Sequence, residues 1–488
     1  MAKKNSLKKN FILLAIYRVL MVIAPLIIAP YTSRVLGSDL VGEYSYYFSL
    51  VSYFTIVVGF GFADYGQRLI AAKRDNKEEY SRIFYEIMGA KYFLGLLVSA
   101  LYFIINYTAG FVSAENGTLI FAIMFFHILG VTIDPQFLFM GLEKYKMMTI
   151  FVFMSKTILI TSIFLFVKTP EDFLTYIFIY SIIVFVYPLL MYPFLFRNLN
   201  KPNWKDIHFL PQFKRAFVYF IPVFSITIYN TVDKSMIQWI TKDNNQNGYY
   251  EQATKLVNVV INLLSALKIL MLSRISYLYE IGDEEGVKDK TIKGLRTLFL
   301  LAMPCAIGIC VIAKNFVPLF FGQDFLPAIQ LIYALAPTII FTSLKLILQS
   351  IYFSPRNKLW PYNFTIIFGT VLNIGLNVIF IHQWGALGAA IGSSISEGIV
   401  CLILVFLCRK EIKVRIFILT SYKPFISSII MGIFGFALTF TTLNQIVGIP
   451  HYNFISVVIL VLSCFAIYGL CTYLIKEEMF MNTLHLKQ

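Results

Sequence analysis

A chain of 488 residues that is 58% hydrophobic and 14% charged, with a mean hydropathy of +0.74, is excluded from the soluble globular class, where about a quarter of residues carry charge. It reads as an all-α polytopic membrane protein. Its formal charge of +15 would point to nucleic acid in a soluble chain, but here the basic bias of cytoplasmic loops accounts for most of it, and no nucleic-acid partner is required.

In chain order, the start carries four lysines before an apolar run that is too long for a cleaved signal peptide and lacks a small-residue cleavage site, so it reads as an uncleaved first span. Apolar runs of about 20 residues then predict fourteen spans, at 11–31, 42–62, 83–107, 117–140, 147–167, 173–196, 216–240, 251–273, 297–313, 329–353, 361–381, 384–407, 424–443 and 453–475. An even number puts both termini on one side. With the basic N-terminus in the cytoplasm, about 30 of the 41 Lys and Arg fall on inward segments and about 4 (Arg34, Lys168, Lys242, Lys314) on outward loops. The inward segments include Ala63 to Arg82, Arg197 to Arg215, Ser273 to Arg296 and Arg409 to Lys423. The expected location is a bacterial cytoplasmic membrane, multi-pass, with both termini inside.

Two halves echo each other. Gln136 to Lys144 after the fourth span resembles Gln349 to Lys358 after the tenth, and Pro25 with Gly42-Glu-Tyr44 resembles Pro222 with Gly248-Tyr-Tyr250. The layout is an N-terminal lobe at 1–196, a cytoplasmic linker at 197–215, a C-terminal lobe at 216–407 and an accessory pair with a tail at 408–488. That is the plan of a transporter built from repeats. The segment after the eighth span, with Asp283, Glu284 and Glu285, reads as a short amphipathic or solvated connection.

Several chemistries are missing. There is no G-x-x-x-x-G-K-[ST] loop, no D-x-D pair, and no ligand spacing among the five histidines, and the outward loops are too short for a catalytic domain. The six cysteines lie in or beside apolar spans and read as packing residues without a disulfide framework. Transport without a cofactor is expected, and not catalysis.

Charges inside the spans carry the functional argument, because each costs several kcal/mol in hydrocarbon. Seven are basic: Arg18, Lys91, Lys156, Lys234, Lys255, Lys268 and Lys345. In the seventh span Asn230, Asp233, Lys234 and Gln238 share one helix face, and in the eighth Lys255, Asn258 and Asn262 form a stripe. Such faces need a hydrated cavity or interhelical partners. For Lys156 and Lys345 the residues leave cavity lining and bonding within the bundle equally open, and Lys91 and Lys268 read either as cavity residues or as lysines reaching for the interface. The buried acids are Asp134, Asp233 and Glu397. His127 and Asp134, seven apart, read as a proton relay or, at Asp134-Pro135, as a capped helix end; Glu397 with Ser393 and Ser394 reads as interhelical bonding. Tyr44, Tyr46, Tyr47, Tyr53, Tyr249 and Tyr250 read as an interfacial aromatic belt, with sugar stacking as the sharper alternative.

Four stretches carry a family resemblance: Pro30-Tyr-Thr-Ser-Arg-Val-Leu-Gly37 with Gly42-Glu-Tyr-Ser45; Gly61-Phe-Ala-Asp-Tyr-Gly-Gln-Arg68; Ile228-Tyr-Asn-Thr-Val-Asp-Lys234; and Trp384-Gly-Ala-Leu-Gly-Ala-Ala390. The chain resembles the Wzx-type flippases of bacterial polysaccharide synthesis, in the MOP superfamily that also holds MATE multidrug exporters and the lipid II flippase. The resemblance implies two six-helix lobes and two accessory helices. It also implies an undecaprenyl-diphosphate-linked oligosaccharide repeat unit as cargo, moved by alternating access from the cytoplasmic to the outer leaflet for capsule, O-antigen or exopolysaccharide synthesis, with a polymerase and glycosyltransferases as neighbours. It places Arg18, Arg34, Asp233, Lys234 and Lys255 in a central cationic cavity, with Lys156 and Lys345 more loosely matched. Most of these charges are lysines, so a diffuse positive field fits better than bidentate arginine recognition. Energy would come from a proton or sodium gradient, the membrane potential or removal of product, and the residues do not choose among them. The rival readings are a multidrug or cation exporter of the same fold and a membrane glycan polymerase.

Overall fold

The computed structural model describes residues 2–108, 117–439 and 452–483, and every regular element among them is helical. Thirteen segments among the described residues are long and apolar enough to cross a bilayer. The first of them, Val19–Ala72, has 54 residues. At 1.5 Å per residue that is about 80 Å, and it holds most of the first predicted span and all of the second. Those two spans lie in α1 (Ala2–Gly59), which breaks at Gly37, where φ is 75° and ψ is 178°. That backbone suits a residue without Cβ. The end of predicted span 424–443 lies outside the described residues.

Packing divides the chain into two compact units, Met1–Ser235 and Met236–Gln488. The division falls inside α9 (Leu210–Thr241) because the linker and the beginning of α9 fold back on the first unit. Tyr80 Oη donates to the carbonyl of Asn198 at 2.8 Å, and the Asn200 N–H donates to Ser81 Oγ at 3.0 Å. Gln212 donates through Nε2 to buried Glu86 and accepts from Tyr65 Oη at 2.6 Å. Gly61 (φ 70°) lies so close to α9 that a Cβ there would come within 2.6 Å of the backbone of Tyr219 and Phe220.

In the first unit, α1 packs on α3 (Lys77–Thr108), α4 (Gly117–Ile133) and α6 (Tyr145–Phe166), and α4 packs along α7 (Phe173–Leu189). The predicted inward segment 63–82 is mostly ordered helix. Its α2 (Phe62–Ala72) lies against α5 (Gln136–Gly141) around a core that includes Phe62, Phe84, Phe137 and Phe139, and this burial pays for ordering the segment. In the second unit, α10 (Asn244–Leu264) is followed by α11 (Ala266–Glu280), and the predicted solvated connection is largely helical as well. Asp283 accepts from the Gly286 N–H at 2.8 Å and caps α12 (Glu284–Phe320), whose first turn carries Glu284 and Glu285 against the positive end of the helix dipole. The bundle continues through α13 (Ala328–Leu348), α14 (Leu359–Trp384) and α15 (Ala386–Cys408); α16 (Val414–Leu438) and α17 (Tyr452–Leu474) pack on α12. Small residues close the α14–α15 hairpin: a Cβ at Gly388 would sit 2.0 Å from the Phe380 carbonyl oxygen.

The repeat seen in the sequence has a structural counterpart with a shifted register. In the first unit Glu143 takes φ 56° and the Lys144 N–H bonds the Phe139 carbonyl at 2.8 Å. In the second, Asn357 takes φ 54° and the Lys358 N–H bonds the Phe353 carbonyl at 2.8 Å. Gln349–Phe353 is a π-turn, which takes in one residue beyond the α-helical count. That accounts for the extra residue between Gln349 and Lys358.

The aromatic-belt reading of the tyrosines needs correction. Tyr44, Tyr46, Tyr47 and Tyr250 are buried, and Tyr44 packs against Tyr176 and Tyr180 at ring distances of 5.1 and 5.6 Å. Tyr53 Oη and Ser49 Oγ both hydrogen-bond Ser235 Oγ. These rings pack within the bundle, so they cannot form an interfacial belt.

Candidate functional site

Pro135 lacks an N–H and interrupts the helix that α4 begins, which leaves the backbone at Asp134 to be satisfied locally. Asp134 Oδ1 accepts from the Gln136 N–H at 2.9 Å, restarting the chain as α5, and the Lys91 ammonium donates to the Asp134 carbonyl at 2.6 Å. Lys91 is only 5% exposed, and its ammonium is held by that backbone carbonyl. Gln136 Nε2 reaches the Tyr17 and Tyr187 hydroxyls.

This helix break opens a cavity of about 220 Å³ inside the first unit. Its polar lining is Asp134, Gln136, Ser155, Lys156, Tyr180 and Tyr187; Met21, Val131, Leu159 and Ile183 are among its apolar walls. Lys156, at mid-span in α6, is half-buried and has no ion-pair or hydrogen-bond partner among the described residues. His127 lies further up α4 with its ring edge-on to Phe48 at 5.6 Å, and its buried Nε2 lacks a hydrogen-bond partner among the described residues. No hydrogen bond joins it to Asp134 among those residues; the carboxylate serves the helix restart instead.

The other candidates of the first unit are Arg18, Arg34, Asn230, Asp233 and Lys234. The side chain of Arg18 lies outside the described residues. Arg34 and Asn230 are exposed, Lys234 is half-buried and Asp233 is 4% exposed.

In the second unit Lys255 and Lys345 are matched by acids. Lys255 pairs with Glu251 at 3.1 Å along α10, while Asn258 and Asn262 are exposed. Lys345 on α13 donates to both carboxylate oxygens of Glu397 on α15, at 2.6 and 2.9 Å, with side chains 13% and 5% exposed. Beside that pair, Asn373 donates to Ser393 Oγ at 3.2 Å and Tyr250 Oη meets the same oxygen at 3.3 Å. The i, i+4 spacing of Glu251 and Lys255 was legible in the sequence; the Lys345–Glu397 pair required knowing that α13 packs on α15. At the membrane edge, Glu411 is held by Arg356 and by Lys358 at 3.2 Å. Burial alone would raise its carboxyl, but these two cations outweigh burial and hold it below its ordinary value.

The arrangement supplies positive charge and hydroxyl and amide groups to a small interior space, and two further lysines already balanced by carboxylates.

Comparison with known proteins agrees with a transporter. A family model described as polysaccharide biosynthesis protein matches residues 7–269, and one described as lipid II flippase MurJ matches residues 142–463. A protein of Escherichia coli (strain K12), named as a candidate O-antigen transporter, is 24% identical over 336 residues, covering 68% of this chain and 80% of that protein. Among solved structures, the lipid II flippase MurJ in an inward closed conformation superposes with a TM-score of 0.71 at 16% identity, covering 96% of this chain and 99% of that chain. An inward-facing multidrug resistance MATE family transporter of the MOP superfamily gives 0.61 at 13% identity, covering 85% and 99%. At these identities the two structures establish the fold alone.

Proposed function

The chain belongs to the polysaccharide biosynthesis protein family, and from that premise we propose that it is a flippase moving undecaprenyl-diphosphate-linked oligosaccharide repeat units from the cytoplasmic to the outer leaflet. The observation that carries this reading is the joint match of the two family models, which together extend over residues 7–463 and of which one is described as lipid II flippase MurJ. The named relative points the same way. The chain works in a bacterial cytoplasmic membrane with both termini inside, in agreement with the bias of its Lys and Arg toward the inward segments. It performs no covalent chemistry of its own, and it hands its cargo to a polymerase after receiving it from glycosyltransferases.

Transport proceeds by alternating access. The diphosphate and sugars enter a polar chamber while the polyprenyl tail remains in lipid, and the negative charge of the diphosphate offsets lysines that would otherwise be costly at that depth. In the first unit Arg18, Arg34 and Lys234 supply attraction and Asn230 hydrogen-bonds sugar; in the second, Lys255 supplies attraction and Asn258 and Asn262 hydrogen-bond sugar. A proton or sodium gradient drives the cycle, with Asp233, Asp134 and His127 as the groups able to change charge. Removing the protein from its cell tests this reading: lipid-linked saccharide should accumulate on the cytoplasmic leaflet. Unchanged glycans together with accumulated cationic drugs would replace it with the exporter reading.

A further inference from the structure

The unpartnered lysine in the first unit is in an unusual position. Lys91 is bonded to the Asp134 carbonyl, Lys345 has Glu397 and Lys255 has Glu251, but Lys156 faces the cavity with no such partner among the described residues. Of the remaining polar lining, the Tyr187 hydroxyl accepts from the Gln136 amide and keeps its own proton to donate, while Ser155 Oγ already donates to the Val152 carbonyl at 2.9 Å. The one acid in the lining, Asp134, has an oxygen occupied by the Gln136 N–H and a lysine bonded to its backbone carbonyl. A cation that shares its cavity with a hydroxyl donor and is walled by Met21, Leu159 and Ile183 is placed to stabilise an anion out of water.

Size restricts the anion. The cavity holds about 220 Å³, the space of roughly seven water molecules and less than an ordinary drug-sized pocket. No lipid-linked oligosaccharide fits inside it. We propose that this cavity is a separate subsite for a single compact oxyanion of the phosphate or carboxylate class, held by the Lys156 ammonium and the Tyr187 hydroxyl. The assignment rests on the cavity alone and not on the flippase reading, although that reading offers one source of the anion, a phosphate of the lipid carrier. The other source is a free anion acting as a resident counter-ion.

The experiment is equilibrium binding to the full-length protein in detergent, with inorganic phosphate and a short-chain polyprenyl monophosphate as separate probes. Lys156→Met keeps the length and apolar stem of the side chain while removing its charge, and Asp134→Asn keeps the acceptor for the Gln136 N–H while removing a like charge. Losing a charged hydrogen bond should weaken binding about ten- to a hundred-fold in Lys156→Met, whereas Asp134→Asn should tighten it. Opposite signs cannot arise from general damage to the bundle. Dependence on Lys156 with inorganic phosphate identifies a free anion; dependence only with the polyprenyl phosphate identifies the lipid headgroup; either supports the subsite. Wild-type affinity for both probes in Lys156→Met, no binding of either probe to the wild type, or weakened binding in Asp134→Asn, overturns it. Flipping is not the readout, so failure here leaves the flippase reading standing, and loss of that reading leaves this measurement intact.

Discussion

Glu397→Gln should be among the most damaging single changes to the second unit. Lys345 and Glu397 meet at 2.6 and 2.9 Å with 13% and 5% of their side chains exposed, so neither charge has water to fall back on. Breaking a buried pair from one side costs about 3–5 kcal/mol, chiefly because the surviving charge stays buried. In a unit of this size, about 2 °C or more of midpoint is lost per kcal/mol, so thermal unfolding in detergent should fall by about 6 °C or more. The double change Lys345→Met with Glu397→Leu removes both charges and roughly preserves volume. It should recover to within about 1.5 kcal/mol of wild type. If the double variant is as unstable as Glu397→Gln, the damage comes from lost packing and the ion-pair account is wrong.

Other predictions follow from single contacts. Gly388→Ala places a methyl 2.0 Å from the Phe380 carbonyl oxygen and should cost about 1–3 kcal/mol, read as lower folded yield on size exclusion. Gln212→Leu removes the acceptor of Tyr65 and the donor to Glu86, and should make residues 199–209 more sensitive to limited proteolysis without altering cleavage elsewhere. Glu411, held below its ordinary value of 4.5, contributes stability that is present above that value and lost as pH falls through its lower folded value. Being partly exposed, it should contribute less than about 1 kcal/mol. The midpoint difference between wild type and Glu411→Gln should therefore hold at neutral pH, begin to shrink as pH falls below about 4.5, and vanish only below the folded value. Replacing Lys234 or Lys255 with Ala should reduce polymer export while leaving the protein in the membrane, measured by glycan immunoblot beside membrane fractionation.

Apolar runs made most of the fold legible, because a lipid solvent leaves few alternatives to helices that satisfy their own backbone. The short helices α2, α5 and α11 were not legible. The formation of α2 and α5 depends on burying Phe62 and Phe137 in one core and on the break at Asp134-Pro135, and that of α11 on packing against α12, contacts that local hydropathy does not record. The repeat could be glimpsed at Gln136 and Gln349, but only the π-turn explains why the second copy is one residue longer. Polar residues in spans could be found by position alone, yet their partners could not: Glu397 was readable as interhelical, and its bonding to Lys345 depended on tertiary packing. Tyr44 shows the same limit, since nothing near it in sequence separates an interfacial ring from one packed on Tyr176.

The central claim is movement of a lipid-linked oligosaccharide, and purified protein in sealed vesicles tests it most directly. Labelled undecaprenyl-diphosphate oligosaccharide is placed in one leaflet and its arrival in the other is followed with a membrane-impermeant glycosidase or lectin. Transfer should be accelerated over protein-free vesicles and reduced in Lys234→Ala and Lys255→Ala. Transfer no faster than in protein-free vesicles, in vesicles where the protein is folded and supplied with a proton or sodium gradient, would contradict the account.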